Sequence, residues 1–300
     1  MIGSVVTRKR WLSSQARALK EMTGLADPEV AMRKLVADLL HEAEQDDAPI
    51  NLPLVASVRG IVEIRAESIQ GSGMLLYTPR GLEILVNSSD ALGRRNFSAA
   101  HEICHTFFPD HAAHVSGTDH FIGYFSIKLE EEFLCDIGAS LMLLPPHLVS
   151  AKIGRYGCCL NAVIRLADEF EASIEATAIA WAQASPWQCA VVFFEERLKP
   201  SQLKRKNQMA FPSLEDVLPQ PELRIAHACA SPGFPLFLPK DKSVSREGSI
   251  YRCMAEQQTT GPDTLEFHGE EKHIYAESIF APYRKDSELT RRVVSLIRPA

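Results

Sequence analysis

Apolar positions recur along the first third of this chain with helical spacing. Trp11, Ala16, Leu19 and Met22 make one stripe, and Gly24 breaks it. Asp27-Pro28 restarts a helix through Val30, Met32, Leu35, Leu39 and Leu40, and the acidic run from Glu42 to Asp47 ends it. Pro49 to Ala56 reads as a linker into a short helix. Ile61-Val62-Glu63-Ile64 reads as a strand. Met74 to Tyr77 and Leu82 to Val86 flank Thr78-Pro79-Arg80-Gly81, a hairpin with Pro and Gly where a type I turn wants them. A second helical rhythm runs through Phe97, Ala100, His101, Cys104, His105 and Phe108. Ser88, Ser89 and Asp90 offer an N-cap upstream, and Pro109 stops the helix. A third stripe, Phe133, Ile137, Leu141 and Leu144, ends at Pro145-Pro146.

Further on, residues 110 to 129 read as a loop near a site mouth. Residues 147 to 186 are helical, with Leu160, Ile164, Ala167 and Phe170 in register and a new start at Ser173-Ile174-Glu175-Ala176. The pair resembles a helix-turn-helix. From Gln188 the pattern changes. Cys189 to Phe194 is a buried strand, and a basic polar stretch follows. Short segments then appear, Gly248 to Cys253 and His273 to Phe280 among them, and a closing helix is predicted from Ser287 to Ile297. The expected class is α+β. A peptidase-like domain spans 1–150, a helical module 151–187, and a β-rich mixed domain 188–300.

The second stripe carries chemistry. His101-Glu102-Ile103-Cys104-His105 is His-Glu-x-x-His. Positions i and i+4 share one helix face, so both imidazoles can face one Zn²⁺. Glu102 stands beside them, placed to take a proton from water. A catalytic zinc takes three protein ligands and keeps one position open. Glu132, on the third stripe's helix, can supply the third ligand. Asp136 follows one turn on and can accept a hydrogen bond from the far nitrogen of a ligating His. The bland alternative is that Glu130 to Glu132 are an acidic helix cap. His111 is a rival third ligand by spacing, although Phe108 and Pro109 stand where a bend is needed; His114 and His120 read as loop histidines. Cys104 and Cys135 fall on the two site helices as small buried residues, with ligation or redox chemistry as alternatives.

These residues resemble the ImmA/IrrE family of zinc metallopeptidases. The resemblance rests on Ile84 to Ser89, on Arg94 to Glu102, and on Glu132, Cys135, Asp136, Gly138, Ala139 and Met142 to Pro145, over about residues 10 to 190. Cys135 stands where the family has Ala, and Gly138 where it has Phe. The resemblance implies a zincin-like domain with Zn²⁺ on His101, His105 and Glu132, Glu102 as general base, and a hairpin edge that aligns substrate. It implies a C-terminal sensor-like domain and cleavage of a DNA-binding repressor. A donor to the oxyanion is expected from Tyr156, His147, His120 or Tyr124. His₂-carboxylate ligation also suits Mn²⁺ or Fe²⁺. The alternative function is a zinc-containing protein that binds a regulatory partner without cutting it.

Composition narrows the setting. A net charge of -6 gives no general reason to bind nucleic acid. Between Leu166 and Pro186 there is no Lys or Arg, while Asp168, Glu169, Glu171 and Glu175 are acidic. The helix pair therefore reads as a packing module. Seven cysteines without framework spacing, no apolar run near the roughly 20 residues of a membrane helix, and a start that is not a signal peptide point to the cytoplasm.

Overall fold

In the computed structural model the described residues are 11–109, 125–203, 220–267, 270–285 and 288–300. They fall into two compact units, 1–149 with 166–176, and 150–165 with 177–300.

The first unit opens with helices α1 (Ser14–Thr23), α2 (Pro28–Glu42) and α3 (Leu52–Val58). Their starts are set by side chains that accept the orphan amides of a first turn: Ser13 from Ala16, Asp27 from Glu29, and Asn51 from Leu54. Gly24, at φ 71°, closes α1 in the left-handed conformation that glycine adopts without strain. A three-stranded sheet follows, β1 (Ile61–Glu67), β2 (Gly73–Thr78) and β3 (Gly81–Asn87), in the order β1-β3-β2. The expected hairpin is present, with Thr78 paired to Gly81. β3 lies in the middle, parallel to β1 and antiparallel to β2. Its Leu82 to Val86 are buried throughout, as a central strand requires. β2 is left as a sheet edge.

Helices α4 (Leu92–His105) and α5 (Phe125–Leu143) pack against each other, and α2 packs on α5. α4 does not use the expected N-cap: it starts after Ala91, with no side-chain cap. Asp90 is held instead in a turn by its amide, which donates to the Asn87 carbonyl. At the other end Arg59 donates to the carbonyl and hydroxyl oxygens of Thr106, at 2.7 and 2.9 Å, so the helix ends before Pro109. Where α4 crosses α5, Gly138 has a reason to be glycine. A Cβ there would stand 2.5 Å from the Cys104 sulfur and 3.0 Å from that of Met32. The space a larger side chain at this position would take is filled by those two sulfurs.

Helices α6 (Pro146–Tyr156), α7 (Leu160–Glu169) and α8 (Ile174–Ala184) follow. Phe170, Ala178, Trp181 and Ala182 are almost wholly buried. Among the described residues no single helix is long and apolar enough to cross a membrane.

The second unit is built on an antiparallel five-stranded sheet of order β5-β4-β10-β7-β6. These are β4 (Ala190–Arg197), β5 (Glu222–Ala230), β6 (Gln258–Phe267), β7 (Glu270–Phe280) and β10 (Arg292–Pro299), with a small pair β8 (Tyr283–Lys285) and β9 (Glu288–Thr290) between β7 and β10. One expectation is corrected here. The closing helix is instead the central strand β10. Val293, Val294, Leu296 and Ile297 are buried on both faces, and β-branched residues favour that setting over a helix. The short segment from Gly248 to Cys253 leads into and begins α9 (Ser249–Glu256), whose Ile250, Cys253 and Met254 pack on the sheet. Its N-terminus is capped from a distance, by Asp263 of β6, which accepts from the Ile250 amide at 2.8 Å and the Ser249 hydroxyl at 3.0 Å.

The Gly138 contact is testable. Gly138→Ala should lower stability by about 1–3 kcal/mol through overpacking, seen in thermal melting. Adding Cys104→Ala should restore part of the loss; two losses that simply add would refute the contact.

Candidate metal centre

Helix geometry places His101 and His105 one turn apart on the face of α4 that meets α5, and α5 answers with a run of carboxylates. Nε2 of His101 lies 3.1 Å from Nε2 of His105 and 3.1 Å from Oε2 of Glu132. The other ring nitrogens are held from behind. Nδ1 of His101 is 3.0 Å from Oδ1 of Asp136, and Nδ1 of His105 is 2.9 Å from Oε1 of Glu131. An ionised carboxylate only accepts, so each Nδ1 carries the proton and donates. Both rings thereby turn Nε2 toward the same point as the Glu132 oxygen.

Nε2 of His101 does not stand about 3 Å from two further acceptors without a cation or a proton among them. Donors at 2.0–2.2 Å from one tetrahedral ion would stand roughly 3.3 Å apart, close to the spacing seen. The donor set therefore fits a divalent metal. In the metal-free protein a proton takes that place on His101. Burial works to lower its pKa, but the hydrogen bonds to Asp136 and Glu132, with the charges of Glu102 and Glu132, push it up to about 9.

The three consecutive glutamates do three different things. Glu130 accepts from the amides of Leu12 and Ser13 at 2.9–3.1 Å, tying down the entry to α1. Glu131, 2% exposed, orients His105. Glu132, 40% exposed, faces the convergence point. The partner of Asp136 is His101, the contact expected from its register. Sequence reasoning missed Glu131. The signal available was that a second ring needs its own acceptor, and Glu131 lies on the same turn.

Another donor lies close. His101, His105 and Cys135 offer ligand atoms all within 4.8 Å of one another. Cys135 is fully buried, and burial pushes its thiol well above its ordinary pKa. Such a group packs as a small apolar side chain. Of the remaining candidates, His111, His114, His120 and Tyr124 lie outside the described residues. His147 lines a different pocket, with His41 and Leu141, and Tyr156 belongs to the second unit.

Glu102 lies beside the convergence point. Burial raises its pKa, against the lowering effect of both imidazoles and of the Leu75 backbone amide on β2. β2 approaches closely because residue 73 is glycine: a Cβ there would be 3.1 Å from Ser98 Cβ and 3.2 Å from Glu102 Oε1. The result is a cleft of about 450 Å³, floored by α4 and walled by β2 and α5.

Residues 59–181 match the Peptidase_M78 family model, the IrrE N-terminal-like domain. The chain is 27% identical over 149 residues to the radiation response metalloprotease IrrE of Deinococcus radiodurans, covering 47% of this chain and 43% of that protein. It is 31% identical over 124 residues to the protein of the same name from Deinococcus deserti, covering 39% and 41%. The matched stretch thus spans less than half the length of either relative. Among solved structures, a Mycobacterium tuberculosis transcriptional regulator aligns with TM-score 0.55 and 10% identity, covering 95% of this chain and 79% of that one. That is a likeness of fold.

Zn²⁺ titration checks the donor set. His101 must give up its proton to ligate, and it holds that proton up to about pH 9. Affinity should therefore rise by about tenfold per pH unit from pH 7 toward 9, with about one proton released per ion at pH 7. Calorimetry in two buffers of different ionisation enthalpy reads both; a flat affinity with no proton release would contradict the assignment.

Proposed function

Because residues 59–181 match the IrrE N-terminal-like domain and the chain is similar to two IrrE metalloproteases, we propose that this chain is a zinc-dependent endopeptidase of the ImmA/IrrE kind. His101, His105 and Glu132 hold the metal, and Glu102 is the general base. One observation carries the reading: Nε2 of one oriented imidazole stands 3.1 Å both from Nε2 of a second and from a carboxylate oxygen, with a further carboxyl of raised pKa beside them. A purely structural site has no use for that last group and takes four protein ligands.

Zinc in this site would supply a Lewis acid, polarising a scissile carbonyl and lowering the pKa of a water toward roughly 7. The chain's residues do the rest. Asp136 and Glu131 fix both imidazoles, so the donor geometry is set before substrate arrives. Glu102 takes a proton from the attacking water and passes it to the leaving amine. Burial raises its pKa above its ordinary value, which favours the second half of that transfer, where it gives the proton up as an acid. β2 is the edge strand of its sheet among the described residues and runs beside Glu102, where an extended substrate can add as a strand.

The substrate is a protein. We assign it to DNA-binding repressors of mobile-element or stress control, a reading supported by the family resemblance and by the radiation-response name of the relatives.

Glu102→Gln tests the reading. Cleavage should fall about 10²–10⁴-fold, while zinc content by mass spectrometry of the native protein stays at one ion. Loss of zinc together with activity would place Glu102 among the ligands. Unchanged biological function in cells would favour the other class of role, in which a zinc-containing protein binds a regulatory partner without cutting it.

A further inference from the structure

The charges of the cleft are unevenly distributed. Glu102, Glu132 and Asp136 line it, and among the described lining residues Arg94 is the one permanent cation. The two arginines within this sheet and its hairpin turn are matched with acids: Arg65 and Arg80 both pair with Glu83, and Arg80 also with Glu63. Arg94 has no carboxylate partner among the described residues. Its Nε and Nη2 both donate to the Ser72 hydroxyl, at 3.2 and 3.1 Å. Its guanidinium lies over the Phe97 ring, 5.7 Å from the centroid. These contacts fix the group's position without an ion pair among the described residues. Ser72 is neutral, and Nη1 has no partner among the described residues. A guanidinium held this way on an open cleft wall is arranged to meet a carboxylate.

The distance to the metal centre defines which carboxylate. Arg94 is seven residues before His101 on one helix, two turns away on the same face, or about 10 Å along the axis. An extended peptide advances about 3.3 Å per residue, so 10 Å is about three residues. Ser72, which holds Arg94, directly precedes Gly73 at Ser98 and Glu102. The guanidinium therefore stands just before the start of the β2 edge, and Glu102 meets that edge at its first residue, so a substrate strand lying along β2 and past its start would pass both.

Resting on the peptidase reading above, we propose that Arg94 is a specificity-determining residue that selects an Asp or Glu side chain about three residues from the scissile bond. A substrate strand antiparallel to β2 would carry that acid on the carboxyl-terminal side of the bond. A parallel strand would carry it on the amino-terminal side, so the side occupied reports the strand's direction.

The test uses the full-length zinc-loaded chain and a library of unstructured peptides randomised at eight positions. Cleavage products of the wild type and peptides captured by Glu102→Gln are both sequenced. Wild type should show one acidic position, two to four residues from the cut and on one side only. Arg94→Ala should erase that preference and lower kcat/KM for an acidic peptide by about ten- to a hundredfold, mainly through KM. Arg94→Glu should turn the preference toward Lys and Arg. Circular dichroism and zinc content establish that the variants are folded and loaded. Cleavage with no acidic preference, or a preference that survives in Arg94→Ala and Arg94→Glu, overturns this inference and leaves the peptidase standing. No cleavage by the wild type and no capture by Glu102→Gln overturns the peptidase reading, and this inference with it.

Discussion

Everything at the metal centre depends on how closely α4 approaches α5. Imidazoles on one helix and carboxylates on the other meet at 2.9–3.1 Å only if no side chain at the crossing holds the helices apart. Gly138 supplies that clearance, and the Cys104 and Met32 sulfurs fill it. The same crossing gives four acids of α5 their partners. Glu130 ties down α1, Glu131 and Asp136 hold the two rings from behind, and Glu132 meets Nε2 of His101. A shift of one residue in the register of α5 would exchange all of these partners. The site is thus a consequence of one packing choice.

A second close approach shapes the other side of the cleft. Gly73 lets the edge of β2 come within van der Waals distance of Ser98 and Glu102. Burial there raises the pKa of Glu102. The same contact brings the edge strand of the sheet next to that carboxyl. One glycine sets how closely α5 meets α4, and the other how closely β2 does.

Much of this was legible in the sequence because its causes are local. His-Glu-x-x-His on a helical stripe puts two rings on one face whatever the rest of the chain does, and Glu132 with Asp136 share a face by the same arithmetic. The hairpin was legible because Pro79 and Gly81 set its turn. What was not legible depends on distant partners. Glu131 and Glu132 are neighbours of identical type, and only the position of α4 decides which one meets which ring. α9 takes its N-cap from Asp263, beyond its own far end, so nothing next to Gly248 marks a helix start. The segment from Val293 to Ile297 has an apolar pattern that fits a buried helix or a central strand equally well. Pairing with β4 and β7 decides it.

The most direct test of the account is the metal's own coordination, read by X-ray absorption at the zinc edge on the full-length protein loaded with one Zn²⁺. The account predicts two imidazole nitrogens at about 2.0–2.1 Å and carboxylate or water oxygen at about 2.0–2.2 Å, with no sulfur. In Glu132→Gln the spectrum should change, and in Cys135→Ala it should not. A sulfur scatterer at about 2.3 Å that disappears in Cys135→Ala would contradict it. The third ligand would then be the buried thiol, and Glu132 would need another role.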